Sequence, residues 1–333
     1  MATPIPELIG SPLPAISVIL PVLNEESHLE GAVLSVLSQD YRGPLEIILA
    51  LGPSRDRTNE IATKLASQDN RVKLLDSPTG KTAAGLNLAL AASKSPVVVR
   101  VDGHAQIPNN YISLIVEILN KTGAVNVGGV MAAVGTTAFE RAVAGAMRSP
   151  LGVGASRFHT GGEAGEVDTV YLGAFRREAL VAIGGFDERF TRAQDWELNF
   201  RLRENGGVIY FDPRLHVTYR PRSSVSALAK QYFEYGRWRR VVSRRHSGTI
   251  NYRYLAPPFA LLGFSASLVL GVLLSSILFI PALVYLLFVV LASIKISTSI
   301  GEYLLLLLVI PTMHFAWGAG FISSPKTLVP ASQ

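Results

Sequence analysis

The sequence predicts an α/β protein: a Rossmann-like, mostly parallel sheet domain with transmembrane α-helices on its C-terminal side. Three observations predict it. Between residues 15 and 133, short apolar runs rich in Val and Ile alternate with stretches of helical spacing, the pattern of βαβ crossovers. From Leu255 to Ile294 about 40 residues carry no charge, and one membrane span needs about 20. Just before that block, Arg214 to Arg253 holds ten basic residues against a single acid, Glu234.

Ala15 to Pro21 (AISVILP) is a continuous apolar run, as expected of a strand buried on both faces. Asn24 to Leu37 follows with Leu29, Val33, Val36 and Leu37 on one helical side. Leu45 to Leu51 is a second buried strand. Asp56 to Ala66 is a helix, with Asp56 placed to cap its N-terminus. A short strand at Val72 to Leu75, an Ala/Leu-rich helix at Thr82 to Ala92 and a strand at Val97 to Val101 come next. Pro108 opens a helix through Leu119, Pro being favoured at the first helical position. Ala124 to Ala133 reads as another strand.

Beyond Leu255 the only charges up to Ser323 are Lys295 and Glu302. The long run divides into two spans, turning at Ser275-Ser276 or near Pro281, and Tyr303 to Ile322 offers a third. The expected organisation is an extension at 1–14, a catalytic domain at 15–213, a basic amphipathic interfacial segment at 214–254, two or three transmembrane helices within 255–322 and a tail at 323–333. Basic residues flanking a span stay on the cytoplasmic side and are drawn to an anionic leaflet. Tyr232, Phe233, Tyr235, Trp238, Tyr252 and Tyr254 interleave with the arginines, as at a membrane interface; the adjoining spans favour lipid over nucleic acid as the partner. Met1 to Pro14 has neither a basic n-region nor an apolar h-region. The expected location is therefore the cytoplasmic (inner) membrane, multi-pass, with the catalytic domain on the cytoplasmic side.

The 333 residues are 49% hydrophobic and only 17% charged, with a net charge of +6 and no Cys. Such a composition excludes a disordered chain, and the missing Cys excludes disulfides, Cys–zinc sites and a thiol nucleophile. No G-x-S-x-G elbow, H-E-x-x-H pair or strand-borne G-x-G-x-x-G is present. Gly80-Lys81-Thr82 fails as a phosphate loop, because Leu75 stands where its first glycine belongs.

Parallel sheets bind ligands at the carboxyl ends of their strands, so the residues after each strand carry the functional information. Asp102-Gly103-His104 follows VVVRV; the pair could hold one divalent ion, or be a turn Asp beside a solvated His. Gln194-Asp195-Trp196-Glu197 places two acids at a helix start, where acids are favoured in any surface helix; catalysis would require Asp195 to reach the strand ends near Asp102. Gly184-Gly185-Phe186-Asp187 suits a tight turn, functional or purely structural.

Together these motifs resemble glycosyltransferase family 2, the inverting GT-A type that uses a nucleotide-sugar donor. The carrying residues, in the family's order, are Pro21-Val22-Leu23-Asn24-Glu25, Ser54-Arg55-Asp56-Arg57-Thr58, Lys81 with Asn87, Asp102-Gly103-His104, Gly184-Gly185-Phe186-Asp187 and Gln194-Asp195-Trp196-Glu197 with Arg201. The basic segment and spans are similar to membrane-anchored members of the succinoglycan-biosynthesis type. The resemblance implies that Pro21, Asn24, Glu25, Asp56, Lys81 and Asp102 bind the nucleotide-sugar donor, a UDP-sugar in the first instance, and that Asp102 and His104 hold Mn²⁺ or Mg²⁺. It implies Asp195 as catalytic base, and Gly185, Asp187, Trp196, Glu197, Arg237 and Trp238 on the acceptor side. Gln231, Arg237 and Trp238 are similar to the Q-x-x-R-W motif of processive members, but five residues separate Gln231 from Arg237, which argues against a processive polymerase. Leu51 and Gly52 replace the usual acids after the second strand, and His104 replaces the second acid of D-x-D. The implied reaction is transfer of a sugar to a lipid-linked acceptor in cell-envelope glycan synthesis. The alternatives are a polyprenyl-phosphate sugar synthase and, from another class, a non-catalytic membrane scaffold with this fold.

Overall fold

A computed structural model describes residues 13–250 and 252–329; most of the extension at 1–14 and the last four residues of the tail lie outside them. In chain order the elements are β1 (Ile16–Val22), α1 (Leu29–Leu37), β2 (Leu45–Leu51), α2 (Thr58–Gln68), β3 (Val72–Asp76), α3 (Thr82–Ala92), β4 (Val97–Arg100), α4 (Tyr111–Thr122) and β5 (Asn126–Ala133). Then follow α5 (Ala138–Met147), α6 (Pro150–Val153), α7 (Arg157–Thr160), β6 (Gly165–Glu166), β7 (Ala174–Arg176), α8 (Arg177–Ala182), α9 (Gln194–Glu204) and β8 (Ile209–Tyr219). Four long helices end the chain: α10 (Val225–Arg245), α11 (Tyr252–Leu273), α12 (Ile280–Ile296) and α13 (Ile300–Ser323).

The sheet order is β3-β2-β1-β4-β7-β5-β8-β6. The β3-β2-β1-β4 half is parallel, and β7 then enters antiparallel to both β4 and β5. Strand residues alternate between two apolar layers. Ile16, Val18, Leu20 and Val22 pack with α1, α2 and α4, while Ile19, Ile48 and Val98 pack with α3, α8 and α9. Burial on both faces is why these strands read as unbroken apolar runs. Pro21 fits within β1 because β4 pairs it only through Ile19, so no ladder bond is lost on that side.

Three helix starts differ from the sequence expectation. The first helix starts at Leu29, not Asn24, because Asn24 turns left-handed (φ 56°) and its Oδ1 accepts the Arg55 N–H at 2.8 Å. The next helix starts at Thr58; Asp56 precedes it and its Oδ1 accepts the Thr58 N–H at 3.1 Å. The fourth starts at Tyr111, three residues beyond Pro108.

The chain forms two compact units, one of residues 1–132 with 161–219 and one of 133–160 with 220–333. The division falls at the end of β8, which continues six residues past 213. The second unit holds fourteen Lys and Arg against three acids, a net charge of +11, and the first unit is left at −5. Three of its helical segments are long and apolar enough to cross a membrane: Tyr252–Leu273, Ser276–Ile296 and Ile300–Ser323. The break after Leu273 lies at the expected serines.

The basic segment is more buried than a helix lying on a lipid surface. In α10, Tyr232, Gly236, Trp238, Arg239, Val241 and Val242 are buried, and the backbones of α10 and α13 touch. A Cβ on Gly236 would stand 2.0 Å from the Trp317 carbonyl oxygen, and one on Gly320 would stand 2.0 Å from that of Phe233. Some of its arginines lie over aromatic faces: Arg239 lies 3.7 Å from the Tyr254 ring centre and Arg240 lies 4.9 Å from that of Phe321. Gly320→Ala therefore forces the two helices apart. It should cost roughly 1–3 kcal/mol, read as a lower melting temperature of the detergent-solubilised chain; unchanged melting would refute this contact.

Candidate active site

Arg100 closes β4 and is the residue around which the site is built. Its side chain is only 6% exposed, and it reaches two carboxylates. Nε and Nη2 both donate to Asp102 Oδ1 at 3.0 Å, and Nη1 donates to Asp195 Oδ1. Burial opposes the charge of Arg100, but the two carboxylates more than offset it and hold it cationic. The Asp195 carboxyl is pushed up to about 6, chiefly by burial and further by Asp102, against the pull of Arg100 and the Leu172 N–H. Tyr171 lies in the same cluster, its hydroxyl raised well above 10, first by burial and then by Asp102.

Backbone strain collects here. The described non-glycine residues with left-handed φ are Asn24 (56°), Leu172 (60°) and Ala193 (59°). Leu172 donates to Asp195, and Ala193 starts the helix whose first turn carries it. Such conformations cost about 1–2 kcal/mol each and gather where surrounding structure enforces them at functional sites. Ala193→Gly should relieve that cost and raise the denaturation midpoint by roughly 0.5–1 kcal/mol equivalent. A lowered midpoint would mean that Ala193 is unstrained.

Buried partners fix the first turn of α9. Glu197 is 2% exposed, and its oxygens accept from Arg201 at 2.7 and 2.8 Å. Arg201 also donates to the carbonyls of Ile183 and Gly185, each at 2.8 Å. Gly184 and Gly185 make this turn with φ of 78° and 71°, and a Cβ on Gly185 would stand 2.6 Å from Asn87 Oδ1. Asn87 clamps the next residue from both sides, accepting from the Phe186 N–H and donating to its carbonyl at 2.8 Å. Asp187 is forked by Arg189 at 2.8 and 2.6 Å. Glu197, expected on the acceptor side, is thus buried against Arg201 and positions α9. Trp196 beside it stacks on Phe200.

The loops after β1 and β2 are stitched together. Ser54 Oγ accepts the Asn24 N–H at 3.1 Å, Thr58 Oγ1 accepts the Glu25 N–H at 2.7 Å, and Glu26 Oε2 accepts the Arg57 N–H at 3.1 Å. Both Asp56 oxygens serve this seam, accepting from Thr58 and the Glu26 N–H, and its carboxyl is lowered, first by the Thr58 hydroxyl. Asp56, expected beside the nucleotide, therefore shapes the loop. Lys81 is exposed just before α3.

Across this loop, His104 Nδ1 lies 2.8 Å from Glu25 Oε1. No group of three or more metal-ligating side chains occurs among the described residues. The donors do fit an ion carried largely by a substrate's phosphates. Arg100 takes only Oδ1 of Asp102, which leaves Oδ2 facing no other described donor, and the imidazole stands two residues on.

The structure brings Asp102 and Asp195, each selected separately in the sequence, onto one guanidinium that sequence reasoning did not select. The signal for Arg100 was present: one charge inside the otherwise apolar VVVRV run. Tyr171 and Leu172 carried no comparable signal. Arg237 and Trp238 lie on α10 in the second unit, where both donate to Glu234, at 2.8 and 3.2 Å.

Comparison with known proteins follows the same lines. The Glycosyl transferase family 2 model matches residues 17–184. The succinoglycan biosynthesis protein ExoA of Rhizobium meliloti is 34% identical over 242 residues, 72% of this chain and 73% of that protein. A Methanococcus voltae enzyme is 24% identical over 254 residues, 73% and 77% of the two chains; its name describes glucuronosyl-type transfer to dolichyl N-acetyl-α-D-glucosaminyl phosphate. Among solved structures, a mannosyltransferase from Pyrobaculum calidifontis in complex with GDP-Man and Mn²⁺ has the same fold. It is 18% identical with a TM-score of 0.60, over 95% of this chain and 88% of that one.

Proposed function

The chain belongs to glycosyltransferase family 2, and on that premise we propose that it is a membrane-anchored, inverting enzyme moving a sugar from a nucleotide-sugar, UDP-linked in the first instance, onto a lipid-linked acceptor in polysaccharide synthesis. One observation carries this reading: a single buried guanidinium holds both Asp102 and Asp195 at the strand ends.

In direct displacement an acceptor hydroxyl attacks the anomeric carbon while the nucleoside diphosphate departs from the opposite face. Asp195 takes the hydroxyl proton. A carboxyl at about 6 suits this role: it is mostly ionised above neutrality yet a stronger base than an ordinary carboxylate. Arg100 fixes its position, and α9 carries it on a turn locked by Glu197 and Arg201. Asp102 and His104 stand on the donor side and would hold a divalent ion. When bound, the ion offsets charge developing on the leaving diphosphate.

The lipid-linked acceptor rests on the second unit's three apolar helices and its +11 charge, and on the dolichyl-linked acceptor in the name of the Methanococcus relative. A lipid phosphate acting as nucleophile needs little help from a base, so the tuned Asp195 favours a sugar hydroxyl over a bare polyprenyl phosphate. Membranes containing the chain, supplied with labelled nucleotide sugar, should label a polyprenyl-diphosphate sugar and leave polyprenyl phosphate unlabelled. The reverse preference would reassign it as a polyprenyl-phosphate sugar synthase.

A further inference from the structure

Glu25 is expected, from the resemblance, among the donor-binding residues. Its geometry points elsewhere. A carboxylate facing a diphosphate would repel it, whereas Glu25 turns toward His104 and meets Nδ1 at 2.8 Å. The Glu25 side chain is 19% exposed, and its backbone N–H is fixed by Thr58 Oγ1. Gly103 makes room for it, since a Cβ there would stand 3.1 Å from Glu25 Cγ. A carboxylate accepts, so this contact calls for a ring proton on Nδ1, and a neutral imidazole held in this way presents its lone pair at Nε2. Imidazoles that bind metals are held in this way, by a carboxylate on the other ring nitrogen.

We propose that Glu25 is a positioning residue for the metal: it holds His104 as a one-nitrogen ligand beside Asp102, and the resulting nitrogen–oxygen pair selects Mn²⁺ over Mg²⁺. This rests on the glycosyltransferase reading for the presence of a donor-borne ion. Selectivity follows from ligand type, because imidazole suits transition ions and Mg²⁺ prefers all-oxygen surroundings. Two protein donors form an incomplete shell, so the ion binds far more tightly when a nucleoside diphosphate supplies further oxygens.

The test is Mn²⁺ binding, read as loss of the free-ion electron paramagnetic resonance signal, on the full chain in detergent with and without UDP or GDP. Glu25→Ala should weaken Mn²⁺ binding 10–100-fold, with folding checked by thermal melting. Glu25→Gln, whose carbonyl still accepts from Nδ1, should restore most of it. His104→Asp should improve Mg²⁺ competition against Mn²⁺. The proposal is overturned if Glu25→Ala binds Mn²⁺ like the parent protein, or if Gln and Ala at position 25 behave alike. Failure of the glycosyltransferase reading shows itself separately, as absence of sugar transfer by a parent protein that binds Mn²⁺ normally.

Discussion

Asp195→Asn abolishes sugar transfer by 10²–10⁴-fold while the protein folds and binds donor: this is the largest activity effect expected of any single substitution. The magnitude is that of a positioned general base. Asn is nearly the same size, and Asp102 keeps both of its Arg100 bonds, so the donor side is left in place. The same residue fixes the pH profile. Transfer needs the ionised carboxylate, so the rate should fall as pH drops through about 6. An acid limb near 4 would mean that burial does not tune Asp195.

A sign-specific stability effect accompanies the loss of activity. The folded-state carboxyl at about 6 lies above its unfolded value near 3.9. The fold therefore gains stability from this group below pH 4 and loses it as pH rises through 6. Asp195→Asn removes that cost. It should be more stable than the parent protein by on the order of 1–3 kcal/mol at pH 8, and the gain should disappear at pH 4. Denaturant midpoints at the two pH values measure this, and equal midpoints at pH 8 would contradict the assigned environment.

Arg100→Ala carries the largest expected loss of stability, about 3–5 kcal/mol, the usual result of removing one partner from a buried ionic cluster. Its charge is nearly excluded from solvent, so screening does not soften the effect. Two carboxylates would then share one site without a cation, and like charges drive a carboxyl pKa up. Asp195 would stay protonated at neutral pH, and transfer would fail for want of a base. Arg100→Lys retains the charge but loses the fork that reaches Asp102 with two N–H groups and Asp195 with a third. It should recover part of the stability and little of the rate. A fully active Arg100→Ala enzyme would remove Arg100 from the centre of the site.

Legibility in the sequence followed the physics of each segment. The spans of β2 and α3 were readable residue for residue, because apolar run length and helical spacing decide such elements. The start of α1 was not, since Asn24 leaves the helix to hold a neighbouring loop through tertiary bonds. A strand end drew attention to Asp102 and a helix start to Asp195, but the role of Arg100, a lone charge in an apolar strand, became visible only when the fold supplied its two partners. The basic segment was legible as a charge surplus, while its burial depended on Gly236 and Gly320 admitting backbone contact, which no local pattern announces. Nor does local pattern reveal that 133–160 groups with the C-terminal helices.

One measurement addresses the central claim most directly. Membranes containing the full chain or its Asp195→Asn form are incubated with labelled UDP- and GDP-sugars and extracted with organic solvent, and the anomeric configuration of the product is determined. Label should enter the lipid extract from one donor with inverted configuration, and only with the parent protein. Retained configuration, undiminished labelling by Asp195→Asn, or no transfer from any nucleotide sugar would contradict the account.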